Sequence, residues 1–168
     1  YPLDHVEIIK RIEKLELPLG VCRSKSGGAH LYLFLKDWVE AEKVQNKLKE
    51  VRSELGLADN TEIFPKQIAL VLERGDNGNF LNLPYFNHEN GLRYAFKSDG
   101  SSLDLEEFLK KAQASAITEE ELGSLVPKNL PDVDEKLRDG PPCLQALMRQ
   151  GFPQGTRNNG LFNVGVYL

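Results

Sequence analysis

Between residues 23 and 35 the chain reads RSKSGGAHLYLFL, and side chains able to do chemistry are densest there. Ser24 and Ser26 bring hydroxyls, Lys25 brings a cation, and Gly27 and Gly28 let the backbone approach a ligand where a Cβ would intrude. His30 follows at the head of an apolar run in which Leu31, Leu33 and Leu35 alternate with Tyr32 and Phe34. That two-residue period predicts a strand with at least one buried face. A short apolar stretch at 19–22 (LGVC) leads into the loop as a second strand. Two hydroxyls, a lysine and a histidine around a glycine turn between strands form an anion nest, which suits a phosphate.

Two more stretches carry polar groups at the edge of apolar runs: TEIFPKQ at 61–67 and GNFLNLPYF at 78–86. Their polar and charged side chains are Glu62, Lys66, Gln67, Asn79 and Asn82, a carboxylate, a cation and three amides that could meet a metal ion, a phosphate or a polar ligand. Each has a plainer alternative. His30 is equally a strand-end histidine bonded locally, the serines turn-stabilising hydroxyls, and the glycines an ordinary hairpin. Glu62 is then an exposed strand glutamate, Lys66 and Gln67 a solvated loop, and the asparagines turn formers.

These residues need elements to hold them. Residues 4–15 place Val6, Ile9, Ile12 and Leu15 at helical spacing, with Asp4 as N-cap and His5 solvated in the first turn. Residues 38–55 predict the longest helix, capped by Asp37, with Trp38, Ala41, Val44, Leu48, Val51 and Leu55 as its buried stripe. Its other face mixes charges that pair along the helix. Residues 61–64 read as a strand stopped by Pro65, 68–72 as a strand or buried segment, and 73–79 as an exposed turn. Strand-like patterns resume at 80–86 and 91–96 around a turn at 87–90, and 103–114 reads as a helix capped by Ser102 or a neighbour. The expected class is α+β, with helices on an antiparallel, RRM-like sheet.

Residues 116–140 turn acidic and carry Pro127 and Pro131, so a linker with a short helix near 119–125 is expected. Residues 141–168 read as the start of a helical segment, which leaves 1–115 as the core domain. A chain of 168 residues that is 40% hydrophobic and 27% charged can hold one domain with a small appendage. The net charge of −4 and pI near 5.5 argue against a broad basic surface for duplex nucleic acid. A local groove with Arg23, Lys25, His30 and Lys66 remains compatible with them. Cys22 and Cys143 lie in apolar settings without zinc-like spacing, so a reduced, cytoplasmic compartment is expected. No run of about 18 apolar residues suggests a membrane span.

SKSGGAHLYLF at 24–34 resembles the second motif of the archaeo-eukaryotic primase superfamily, the primase-polymerases of phages, plasmids and mobile elements. TEIFPKQ and GNFLNLPYF resemble further stretches of it in the same order, so the resemblance covers residues 1–115. It implies that His30 contacts the phosphates of an incoming nucleotide and that Ser24, Lys25 and Ser26, with Gly27 and Gly28, line the phosphate pocket. It implies that Glu62 is a metal carboxylate for Mg²⁺ or Mn²⁺, where the family more often has aspartate. Gly28 stands where the family often has serine. Lys66, Asn79 and Asn82 would complete nucleotide or template binding.

The implied activity is template-directed nucleotidyl transfer on single-stranded DNA, in a bacterial, archaeal or phage-infected cell, with a helicase or nuclease as associated domain or partner. The family's first acidic motif has no counterpart here; Asp132-Val133-Asp134 has the spacing but falls in the expected linker. The expected place for that motif is upstream of Tyr1, and this stretch alone is not expected to polymerise. Two other readings stand beside this one. In the first, a non-catalytic RRM-like module stacks bases on Tyr32, Phe34, Phe80, Tyr85 and Phe86. In the second, the chain is an assembly domain in which the turn is only a turn.

Overall fold

The computed structural model describes residues 4–86, 91–126 and 145. The first amphipathic stretch forms α1 (His5–Lys14), where the Asp4 side chain accepts the amide of Glu7 and Ile9 and Ile12 are buried. Each such burial contributes roughly 1.5–3 kcal/mol. Next come β1 (Leu19–Arg23) and β2 (Ala29–Leu33), paired antiparallel with Cys22 opposite His30 and Val21 opposite Leu31. Further along are α2 (Ala41–Glu54), α3 (Leu105–Ser115) and α4 (Glu119–Ser124). The class is α+β.

The strand alternation serves two cores rather than one. Val21, Ala29 and Leu31 pack with Ile9, Ile12, Leu15, Leu17, Val51, Leu55 and Phe96. Cys22, Tyr32 and Phe34 pack with Tyr85, Ala95, Leu103 and Phe108. Bridges widen the hairpin on both sides. Cys22 pairs with Ala95 as well as His30, the Arg23 amide donates to the Tyr94 carbonyl at 2.8 Å, and the Phe96 amide donates to that of Val21 at 2.9 Å. β1 therefore lies between β2 and residues 94–96. Beyond β2, Leu35 bridges Ile117 in parallel, and the Lys36 amide donates to the Ile117 carbonyl at 2.8 Å.

Several expected elements differ from what forms. The long helix begins at Ala41 with Glu40 as N-cap, because the pairing of residues 34–36 with Ile117 keeps the chain extended. Trp38 is consequently fully exposed instead of heading a buried stripe, while Val44, Val51 and Leu55 are buried as expected. Residues 61–64 form no strand; the Thr61 amide turns back to the Ala58 carbonyl at 2.9 Å, and just beyond the stretch Gln45 of α2 donates to the carbonyls of Pro65 and Lys66 at 3.1 and 3.2 Å.

Residues 68–72 are neither strand nor buried. Ile68, Leu70, Val71 and Leu72 are exposed, the Asp76 carboxylate accepts the Val71 amide at 2.9 Å, and a 3₁₀ turn follows at Leu72–Arg74. In 80–86 the run is broken by Tyr85 at φ 57, whose amide donates to the Arg93 carbonyl at 2.8 Å. Of 91–96, residues 94–96 pair with β1, while Ala95 and Phe96 also pair with residues 102–103. α3 is capped by Asp104 in a reciprocal box with Glu107, two residues beyond Ser102.

The start of the expected linker is packed into the body. Leu122 of α4 is buried, Lys43 on α2 meets Glu119 at 2.8 Å, and Lys47 donates to the Leu125 carbonyl at 3.3 Å. Thr118 and Glu121 cap this helix reciprocally. The remainder of 127–140 and the expected helical segment at 141–168, Gln145 excepted, lie outside the described residues, as do the turn at 87–90 and Asp132-Val133-Asp134.

Candidate functional site

The β1–β2 connection closes on itself. The Ser24 amide donates to the Gly28 carbonyl at 2.8 Å and the Gly27 amide to the Ser24 carbonyl at 3.1 Å, with Gly27 at φ 89. That conformation suits glycine and little else. Arg23 braces the turn from outside, its guanidinium donating to the carbonyls of Ser24 at 3.3 Å and Leu92 at 3.1 Å. From α1, His5 Nε2 reaches the Gly28 carbonyl at 3.1 Å while its ring lies 4.6 Å from that of Phe96.

Inside the turn the two serine hydroxyls meet at 3.2 Å. Ser24 is buried at 8% exposure, whereas Lys25 and Ser26 are exposed. A Cβ at Gly28 would stand 3.2 Å from Ser24 Oγ, tighter than an ordinary contact, so glycine leaves this hydroxyl its room. His30, half-buried on β2, has the Tyr32 hydroxyl 3.4 Å from its Nδ1. The same hydroxyl donates to the Asn82 carbonyl at 2.6 Å. Thus the backbone of the 78–86 stretch comes to the histidine of the 24–34 stretch, through a tyrosine.

Glu62 and Lys66 sit elsewhere in the contact network. Both are exposed and pair with each other at 2.6 Å, and the Lys66 ammonium lies 5.0 Å from the Phe64 ring centre. The hydrogen bond from Lys66, aided by its charge, holds the Glu62 carboxyl below its usual range. The other tie of this stretch runs to Gln45 on α2. Gln67 and Asn79 are exposed, and Asn82 joins the cluster by its backbone. Serines, glycines, Lys25 and His30 therefore share one turn and one strand end, with Asn82 beside them; Glu62 and Lys66 form a separate pair.

Among the described residues no group of three or more His, Cys, Asp or Glu side chains could hold a metal ion. Glu62 is a single exposed carboxylate paired with Lys66; Mg²⁺, which takes one or two carboxylates together with waters and substrate phosphates, would have to open that pair to use it. Among the described residues no helix is long and apolar enough to cross a membrane.

Two contributors escape sequence reasoning. His5 reads as a solvated first-turn residue, yet it bonds to the turn 23 residues away. Tyr32 reads as an alternating strand residue, and no spacing ties its hydroxyl to Asn82. No family model, no curated protein and no solved structure matches this chain.

Proposed function

We propose that the chain is the nucleotide-binding part of a primase-polymerase catalytic domain, and that the 24–30 turn holds the triphosphate of the incoming nucleotide. The observation that supports this best is the closed turn itself, with two hydroxyls 3.2 Å apart and a histidine at the adjoining strand end. The amides of Ser24 and Gly27 are used inside the turn. Anion contacts then fall to the amides of Lys25, Ser26 and Gly28, to both serine hydroxyls, to the Lys25 ammonium and to His30. Hydrogen bonds to a charged group contribute about 1.5–3 kcal/mol each, so several together are what such a turn can set against the cost of association.

An RRM-like arrangement of the wider sheet, a single-stranded DNA template, an associated helicase or nuclease and a cytoplasmic setting belong to the same proposal. Metal-dependent transfer would need carboxylates that the described residues do not bring together; triphosphate binding at the turn does not need them.

The test is a calorimetric titration of the chain with a deoxynucleoside triphosphate in the presence of Mg²⁺ or Mn²⁺. Binding that His30→Ala weakens about 10-fold or more supports the proposal. Absence of binding with either metal overturns it.

A second reading, a non-catalytic module for single-stranded nucleic acid, draws on Phe80 and Phe86, which are 82% and 73% exposed. Exposed aromatics offer faces for base stacking. The other three candidates, Tyr32, Phe34 and Tyr85, are packed in the second core. Salt-sensitive binding of a single-stranded oligonucleotide, lost in Phe80→Ala and indifferent to nucleotide, would favour this reading.

A further inference from the structure

The Tyr32 hydroxyl has two neighbours and one proton. It lies 2.6 Å from the Asn82 carbonyl oxygen, which can only accept, and 3.4 Å from Nδ1 of His30. The proton is therefore committed to Asn82. Toward His30 the phenolic oxygen is an acceptor only, so Nδ1 is the nitrogen that must carry hydrogen. Burial pushes the Tyr32 hydroxyl up to about 12, with Cys22 adding to that and Arg93 opposing it, so the phenol keeps its proton at neutral pH.

The separation of 3.4 Å exceeds an ordinary hydrogen bond, which makes this a weak, orienting contact of a kind that tightens when ligand binds. Two further features hold the rings together. Residues 30 and 32 share a face of β2, and their ring centres stand 6.1 Å apart at 74°, edge to face. Beside this pair lie Cys22, opposite His30 across the strands, and Arg93, whose charge acts on Tyr32.

We propose that Tyr32 is a positioning residue for His30: it selects the Nδ1–H form of the ring, makes Nε2 the nitrogen offered to a phosphate oxygen, and holds the Asn82 backbone beside the same ring. A phosphate oxygen accepts from Nε2 only when the ring is doubly protonated, and Nδ1–H then still has Tyr32 as its acceptor. The phosphate part rests on the function proposed above. The tautomer part stands on the Tyr32 geometry alone.

The experiment uses the whole 168-residue chain, ¹⁵N-labelled, with the imidazole signals of His30 assigned by comparison with His30→Ala. Without ligand, the wild-type spectrum should show Nδ1–H, and Tyr32→Phe should lose that bias while keeping its ring in the core. On titration with deoxyadenosine triphosphate and Mg²⁺, Tyr32→Phe should bind about 3- to 10-fold more weakly. A wild-type ring carrying its hydrogen on Nε2 overturns the positioning role, and that result needs no variant. An unchanged tautomer in Tyr32→Phe overturns it also. If the tautomer responds but the wild type binds no triphosphate, the proposed function fails and takes the phosphate part with it.

Discussion

His5, the first residue of α1, donates its Nε2 hydrogen to the carbonyl of Gly28, 3.1 Å away in the β1–β2 turn. A carbonyl accepts only, so the bond fixes the tautomer of His5. The turn is thereby tied to a helix that is itself buried through Ile9 and Ile12. His5→Ala should cost about 1 kcal/mol of stability and speed amide exchange at Ser24 and Gly27, whose hydrogen bonds close the turn. Hydrogen-exchange NMR reads both amides. Unchanged exchange would mean the turn holds itself without the helix.

Tyr85 has the same division of labour in the second core. Its hydroxyl accepts the amide of Ala95 at 3.0 Å and donates to the carbonyl of Leu103 at 3.0 Å. Ala95 is 2% exposed, so no water stands ready to replace the lost partner. Tyr85→Phe should destabilise the chain by about 1–3 kcal/mol, seen as a lower urea midpoint. A midpoint within error of the wild type would show that both groups find other partners.

Residues 97–101 turn tightly between bridged Phe96 and Ser102, with the Gly100 amide on the Lys97 carbonyl at 3.0 Å. Gly100 sits at φ 85, and a Cβ there would come 2.6 Å from Val6 Cγ2 on α1. Backbone strain and overlap add, so Gly100→Ala should cost about 1–3 kcal/mol. Val6→Ala in the same chain should recover part of the loss. A double variant no more stable than Gly100→Ala alone would assign the whole cost to the backbone.

Alkali should destabilise the chain through a buried thiol and a half-buried phenol. Burial raises the Cys22 thiol from 9.0 to about 12 and the Tyr32 hydroxyl from 10.0 to about 12. Both are neutral when protonated and lose the proton more easily in the unfolded chain. Their stabilising contribution is complete below about pH 9 and is lost as pH rises toward about 12. The melting temperature should therefore decline above pH 9, less steeply in Cys22→Ala. A slope that Cys22→Ala leaves unchanged would remove Cys22 from the account.

The legible parts of this chain are those governed by local rules. Asp4 caps α1, Ile9 and Ile12 face inward, and the two strands flank the glycine turn, all at the expected places. Caps, helical spacing and two-residue alternation act within a few residues. Residues 61–64 and 68–72 look like strands because their composition is apolar, but a strand needs a partner edge. Gln45 takes the carbonyls of Pro65 and Lys66 next to the first, and Asp76 takes the Val71 amide within the second. The same reason governs Trp38, whose helix start yields to a pairing with Ile117 about 80 residues on. In the candidate site, the serines, Gly27, Gly28 and His30 are visible as a cluster in one segment. The links made by His5 and Tyr32 cross 23 and 50 residues, which no periodicity encodes.

The two faces of β2 belong to different cores, with Ala29 and Leu31 on one and Tyr32, followed by Phe34 just beyond the strand, on the other. A slip of one residue against β1 would exchange the two sets of side chains, and neither core would accept the other's contents. Register is therefore secured from above and below the sheet as well as by the connection that joins the strands. Exchange falls to the exposed tip: Lys25 and Ser26 can be replaced while Gly27 keeps its φ of 89 and His30 stays opposite Cys22. The hairpin is a fixed mount carrying an interchangeable tip, so the side chains presented there can diversify without retooling the frame that aims them.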